Sequence, residues 1–187
     1  MQAQVALLLA ALFALSACGP HAAPALHGTQ LVPAQPASNF TLTDQDGEPF
    51  SLAQARGQAV ALYFGFTHCK DVCPQTLALL GKAREKAHLQ PAQERIVMIT
   101  VDPRHDSPAA LRAFFRHVGV EATGLTGTPS QLQSIYRAYG IAIQPQKGDI
   151  VHTDVIFLID ANGRIVETLA PETPLKDVAA DLRSVLD

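Results

Sequence analysis

With 187 residues, 48% hydrophobic and 17% charged, the chain has the length of one domain and enough apolar side chains for a substantial core, which excludes wholesale disorder. A formal net charge of -3 and the absence of any dense Lys/Arg block exclude nucleic acid as a partner, because that affinity rests on neutralising phosphates. The three cysteines fall into two contexts, Cys18 near the start and Cys69 with Cys73 further along.

Val5 to Leu15 is an apolar run of Ala, Leu, Phe and Val. It is too short for a bilayer, which takes about 20 residues, but suits the apolar part of a signal peptide. It ends in Leu15-Ser16-Ala17-Cys18-Gly19, which resembles a bacterial lipobox, although no Lys or Arg precedes the run. Residues 1–17 therefore read as a lipoprotein signal peptide and Cys18 as a lipidated first residue. This places the mature chain outside the cytoplasm, anchored to a membrane. Residues 18–37 carry Pro20, Pro24, Pro33 and Pro36 without a sustained period and read as a semi-extended tether, with His21 and His27 as solvated tether residues.

A single domain is expected over residues 38–187. Residues 39–52 alternate apolar and polar around Asp44-Gln45-Asp46-Gly47, as a hairpin does. Ala59 to Phe64 is an unbroken apolar run, the mark of a strand buried on both faces. Gly65 to Lys70 leave it as a loop, and a helix begins near Asp71, with Pro74 tolerated in its first turn. Ile96 to Val101 is a second buried strand. Asp102 to Pro108 close it, with Asp102, His105 and Asp106 read as cap and loop residues, and Ser107-Pro108 starting a helix that buries Leu111, Phe114, Phe115 and Val118. A short strand over Glu121–Thr126 precedes a helix from Thr128 to Tyr139. Ile141 and Ile143 suggest a strand, Gln144–Asp149 a polar loop, and Ile150–Asp160 one long strand. Asn162-Gly163 pairs that strand with Arg164–Leu169, and Thr173-Pro174 opens a final amphipathic helix. Strands alternating with helices and closed by a hairpin predict an α/β, thioredoxin-like fold: a mixed central sheet, helices on both faces and an N-terminal hairpin.

Cys69 and Cys73 thus stand where a central strand hands over to a helix, whose unpaired N–H groups and positive dipole end favour thiolates. Positions i and i+4 share a helix face, so both sulfurs can converge on each other or on one ion. A structural disulfide is the plainer reading, but a bridge closing so short a loop gives only about 2 kcal/mol, against about 4.7 for a 100-residue loop. Thiolates select soft ions such as Cu(I) or Zn, and two of them underfill most metal sites. His152, at the start of the strand after the polar loop, is the candidate third donor; a hydrogen-bonded core histidine is the more ordinary reading of such a residue.

The stretch Phe64-Gly65-Phe66-Thr67-His68-Cys69-Lys70-Asp71-Val72-Cys73-Pro74 closely resembles the Sco/SenC family of copper proteins that help assemble cytochrome c oxidase. The resemblance extends over residues 39–187, through Phe40 to Gly47, Val101-Asp102-Pro103, Gly124 to Gly127, and His152 before Phe157-Leu158-Ile159-Asp160. It implies Cys69, Cys73 and His152 as ligands of one copper per domain, Cu(I) or Cu(II), and oxidase subunit II with its binuclear copper centre as client. Other periplasmic copper chaperones or thiol reductants are implied as further partners. The chain departs from the family at Lys70, where proline is usual, at Val151, where aspartate is common, and at Thr153-Asp154. Asp154, on the strand face of His152, is a candidate to orient that imidazole in place of the missing aspartate.

Two functions follow from this one site, a copper chaperone and a thiol-disulfide oxidoreductase with Cys69 and Cys73 as its redox pair. The wide Cys-x-x-x-Cys spacing and His152, which dithiol exchange does not need, favour metal. Peroxide reduction fits less well, because Thr67 precedes Cys69 by two positions rather than three. For Cys18, intact-mass measurement of the mature protein is expected to show a diacylated cysteine as residue one, since one acyl chain anchors only marginally. A soluble product that begins elsewhere and carries no lipid mass would refute the tether.

Overall fold

The computed structural model describes residues 26–146 and 149–186. Ten strands and four α-helices follow in order: β1 (Thr29–Pro36), β2 (Thr41–Asp44), β3 (Pro49–Ser51), β4 (Ala59–Gly65), α1 (Val72–Lys86), β5 (Glu94–Thr100), α2 (Pro108–Val118), β6 (Thr123–Thr126), α3 (Pro129–Ala138), β7 (Ile143–Gln146), β8 (Asp149–His152), β9 (Ile156–Ile159), β10 (Arg164–Leu169) and α4 (Leu175–Ser184). A 3₁₀ turn, Leu52–Ala55, links the N-terminal hairpin to β4. Eight strands form one mixed sheet in the order β1-β10-β9-β4-β5-β6-β2-β3. β4 and β5 are parallel, as are β5 and β6, while β9 runs antiparallel to β4.

All seven residues of β4 are buried, as its unbroken apolar run requires. Successive side chains in a strand point to opposite faces. Tyr63 faces Cys73 of α1, and Phe64 packs edge-on against Tyr136 of α3 and Phe157. Helices therefore cover both faces, and the fold is the thioredoxin-like one expected. The helix starts follow their caps: Ser107 Oγ accepts from the Ala110 N–H at 3.2 Å, and Thr128 Oγ1 accepts from the Gln131 N–H at 3.3 Å.

Three expectations need correction. The segment read as tether folds from Thr29 to Pro36, as β1, antiparallel to β10. β1 lies at the sheet edge, where a missing N–H is tolerated, so Pro33 and Pro36 do not exclude it. Nor is His27 a free tether residue: its Nδ1 lies 2.7 Å from the buried Asp181 Oδ1. His21, Cys18 and the signal sequence lie outside the described residues. Finally, Ile150–Asp160 is two strands. β8 pairs only with β7 in a small separate sheet, in the register Ile143↔His152. Thr153 gives its N–H to the Ala142 carbonyl at 2.9 Å and accepts the Ala142 N–H on Oγ1 at 3.0 Å, which turns the chain before β9 enters the main sheet. The expected loop 144–149 therefore includes hairpin arms.

Two buried glutamates contribute to the pH response of this fold. Glu94, at the start of β5, is fully buried with no hydrogen bond to either carboxylate oxygen, and Arg84 stays 3.9 Å away. Burial pushes Glu94 up to about 7, against the attraction of Arg84. Glu167, also buried, is pushed by burial to about 7 despite the Gly28 N–H that it accepts. A carboxyl held above its unfolded value keeps protons that the unfolded chain has released. Its stabilising contribution is complete below about pH 4.5 and is lost as pH rises through about 7. The melting temperature is therefore expected to fall between pH 5 and pH 8, Glu94 contributing on the order of 3 kcal/mol. The fall should be smaller in Glu94→Gln, and a rise in melting temperature over that range would contradict this assignment.

Candidate metal centre

The thiols stand at the C-terminal end of β4, the central strand. Cys69 lies in the loop before α1 and is partly exposed, whereas Cys73, in the first turn of α1, is fully buried. Both are free thiols. Asp71, at the N-cap position, makes no capping bond with its side chain. The Cys73 N–H instead points at Cys69 Sγ, 3.3 Å away, so a sulfur fills the place of the usual oxygen cap. Gly65 makes room for the pair: a Cβ there would fall 2.7 Å from the Tyr63 ring and 3.3 Å from Cys73 Sγ.

The environment overrides the simple helix-terminus argument for Cys73. Burial, followed by the hydrogen bond with Cys69, pushes its thiol up to about 12, although Phe66 and Tyr63 act in the opposite direction. Desolvation opposes the charged form more strongly than the first-turn amides favour it. Cys73 is therefore a neutral thiol at neutral pH, and any metal that binds its sulfur must displace the proton.

His152 ends β8, half-buried, with its ring edge-on to Tyr63 and to Phe66 at centroid distances of 6.5 and 6.1 Å. Its Nδ1 lies 2.9 Å from the Thr153 carbonyl. A carbonyl only accepts, so Nδ1 carries the hydrogen and Nε2 keeps its lone pair. Asp154 does not orient this imidazole as expected; it accepts the Tyr63 hydroxyl at 3.0 Å. Tyr63 thus joins the two halves of the site, touching Cys73 with its phenol and His152 with its ring. Among the described residues no group of three or more His, Cys, Asp or Glu stands close enough to hold a metal ion. The thiols are paired, and His152 is one aromatic side chain removed from them.

One residue read as a loop residue has a larger part. Asp106 is fully buried and accepts from the Thr67 N–H at 3.2 Å, Thr67 Oγ1 at 2.5 Å and Thr100 Oγ1 at 2.5 Å. It ties the thiol loop to the end of β5. Burial raises its pKa while the hydroxyl and amide donors oppose the rise. A sequence signal for this existed: Ser107 already caps α2, so an acidic residue directly before it has no capping work left.

The SCO1/SenC family model matches residues 29–187. The chain belongs to the SCO1/SenC family. The match includes β1 and so extends ten residues before the start at residue 39 that the motifs implied. An SCO2-like protein of Rickettsia conorii is 30% identical over 153 residues, covering 78% of this chain and 75% of the relative. Among solved structures, Bradyrhizobium japonicum ScoI with copper bound superposes with a TM-score of 0.70 at 29% identity, covering 79% of this chain and 97% of that one. A SCO1/SenC family lipoprotein of Bacillus anthracis has a TM-score of 0.75 at 26% identity, covering 87% of this chain and all of the other. Both were solved for proteins of the same SCO1/SenC architecture, a mixed sheet flanked by helices.

Proposed function

We propose that this SCO1/SenC protein is a copper chaperone that acts in cytochrome c oxidase assembly and delivers its ion to the binuclear copper centre of subunit II. Copper is cargo here, one ion per domain, and Cys69, Cys73 and His152 are its ligands. One observation carries the reading: two unbridged thiols in contact at a helix start, linked through Tyr63 to a histidine whose Nε2 lone pair is left free. Soft sulfur donors suit Cu(I), and an added imidazole suits Cu(II). The copper-bound relative from Bradyrhizobium japonicum supports the choice of metal.

The chain's own residues explain how such a site can load and release. Cys69 is the reachable sulfur, and Cys73 gives up its proton only to a metal that binds thiolate strongly, so binding is coupled to proton release. His152 must approach from β8, which pairs with β7 alone and is not bonded into the main sheet. We further propose that Cys18 anchors the domain to the membrane on its extracytoplasmic side, a reading supported by the lipoprotein relative from Bacillus anthracis.

The unequal burial of the thiols favours one second reading, a thiol-disulfide oxidoreductase acting on the client's cysteines. In such exchange an accessible sulfur attacks and a sheltered one resolves the mixed disulfide. His152→Ala separates the two. For a chaperone, the folded variant should lose Cu(II) affinity by more than the roughly 10-fold that even an outer-shell partner is worth. Reduction of a model disulfide should persist within a few-fold, because the thiols remain. Unchanged copper affinity would remove His152 from the ligand set, and client maturation that survives lost copper binding would favour the oxidoreductase.

A further inference from the structure

Two more imidazoles stand beside the thiols without a part in the site just described. His68 directly precedes Cys69, and His105 lies in the turn between β5 and α2. Their ring centroids are 5.3 Å apart with the planes at 72°. Both line one cleft of about 760 Å³, between the thiol loop and the β7–β8 hairpin.

Their hydrogen bonds fix both tautomers. His105 Nδ1 is 2.7 Å from Asp102 Oδ2; a carboxylate only accepts, so Nδ1 carries the hydrogen and Nε2 has the lone pair. His68 Nδ1 is 3.3 Å from Thr67 Oγ1. The Thr67 hydroxyl hydrogen is already donated to Asp106 at 2.5 Å, so Oγ1 accepts from His68 and again Nε2 is left as the donor to an ion. An imidazole backed by a carboxylate through its other nitrogen is the arrangement that metal-ligating histidines adopt.

We propose that His68 and His105 form a second, imidazole-only site for a borderline divalent cation, best filled by Cu(II), the strongest binder in the Irving–Williams order. Two protein donors leave positions open to water or to a donor from an incoming carrier. The binding rests on the 5.3 Å ring separation, the shared cleft and the two tautomers; its use as a landing place next to Cys69 rests on the copper reading of the thiol site.

The test uses the full chain with Cys69 and Cys73 oxidised to the disulfide, so that neither sulfur is a ligand, and Cu(II) as the probe. Titration followed by electron paramagnetic resonance should show an equivalent of Cu(II) with two nitrogen couplings. Asp102→Asn should weaken it about 10-fold, and His68→Ala and His105→Ala should weaken it further. His117→Ala, at an exposed histidine outside the cleft, should leave it unchanged. Both histidines are at the surface, and unaltered melting temperatures would show that the variants fold. An equal Cu(II) affinity in His68→Ala and His105→Ala would overturn the site, as would loss of the ion in His117→Ala instead. Failure of the thiol reading appears elsewhere, as a reduced wild-type chain that takes up no Cu(I), and leaves this result standing.

Discussion

Asp106 accepts hydrogen bonds from Thr67 and Thr100 at the point where β4 and β5 both end, and the geometry of the thiol loop depends on it. A carboxylate withdrawn from water is unfavourable unless donors replace the lost hydration. Here the Thr67 amide and two hydroxyls replace it, so a loop that leaves takes both Thr67 donors with it and leaves the buried carboxylate with Thr100 alone. Because the loop is held at Thr67, Cys69 lands beside the first turn of α1 and its sulfur takes the Cys73 amide. The same Thr67 hydroxyl, committed to Asp106, also fixes which nitrogen of His68 carries the hydrogen. One buried group thereby orders a sulfur pair and a neighbouring imidazole.

The second constraint is packing. Cys73 is sealed between α1 and β4, and Gly65 is the residue that admits it. Sealing the sulfur keeps it protonated and leaves Cys69 as the accessible partner. Tyr63 extends this buried contact to the ring of His152 on a small hairpin outside the main sheet. A rigid, half-prepared thiol pair and a third donor on a separately attached element suit a protein that must bind a metal and then give it up.

Much of this was legible in the chain because it is local. The run Ala59–Phe64 announced a strand buried on both faces, and Ser107-Pro108 and Thr128-Pro129 announced helix starts. What stayed hidden depends on distant partners. β1 looked like a proline-rich tether because its stability comes from Asp181, Glu167 and β10, all more than 100 residues away. The break between β8 and β9 is made by Thr153 reaching back to Ala142, which no period reveals. The Cys73 shift reversed a correct local argument, since helix-terminus amides are visible in sequence and desolvation is not. The register of His152 marks it as a ligand candidate; the structure gives it a free Nε2 and sets its ring against Tyr63, which also contacts Cys73.

The central claim is that the reduced thiol pair is the copper site. It is tested most directly by the Cu(I) stoichiometry of the full chain before and after oxidation of Cys69 and Cys73 to a disulfide. The account predicts one Cu(I) on the reduced thiols and loss of that ion on oxidation, because thiolates are the ligands. Equal Cu(I) binding by the oxidised chain, or none by the reduced chain, would contradict it.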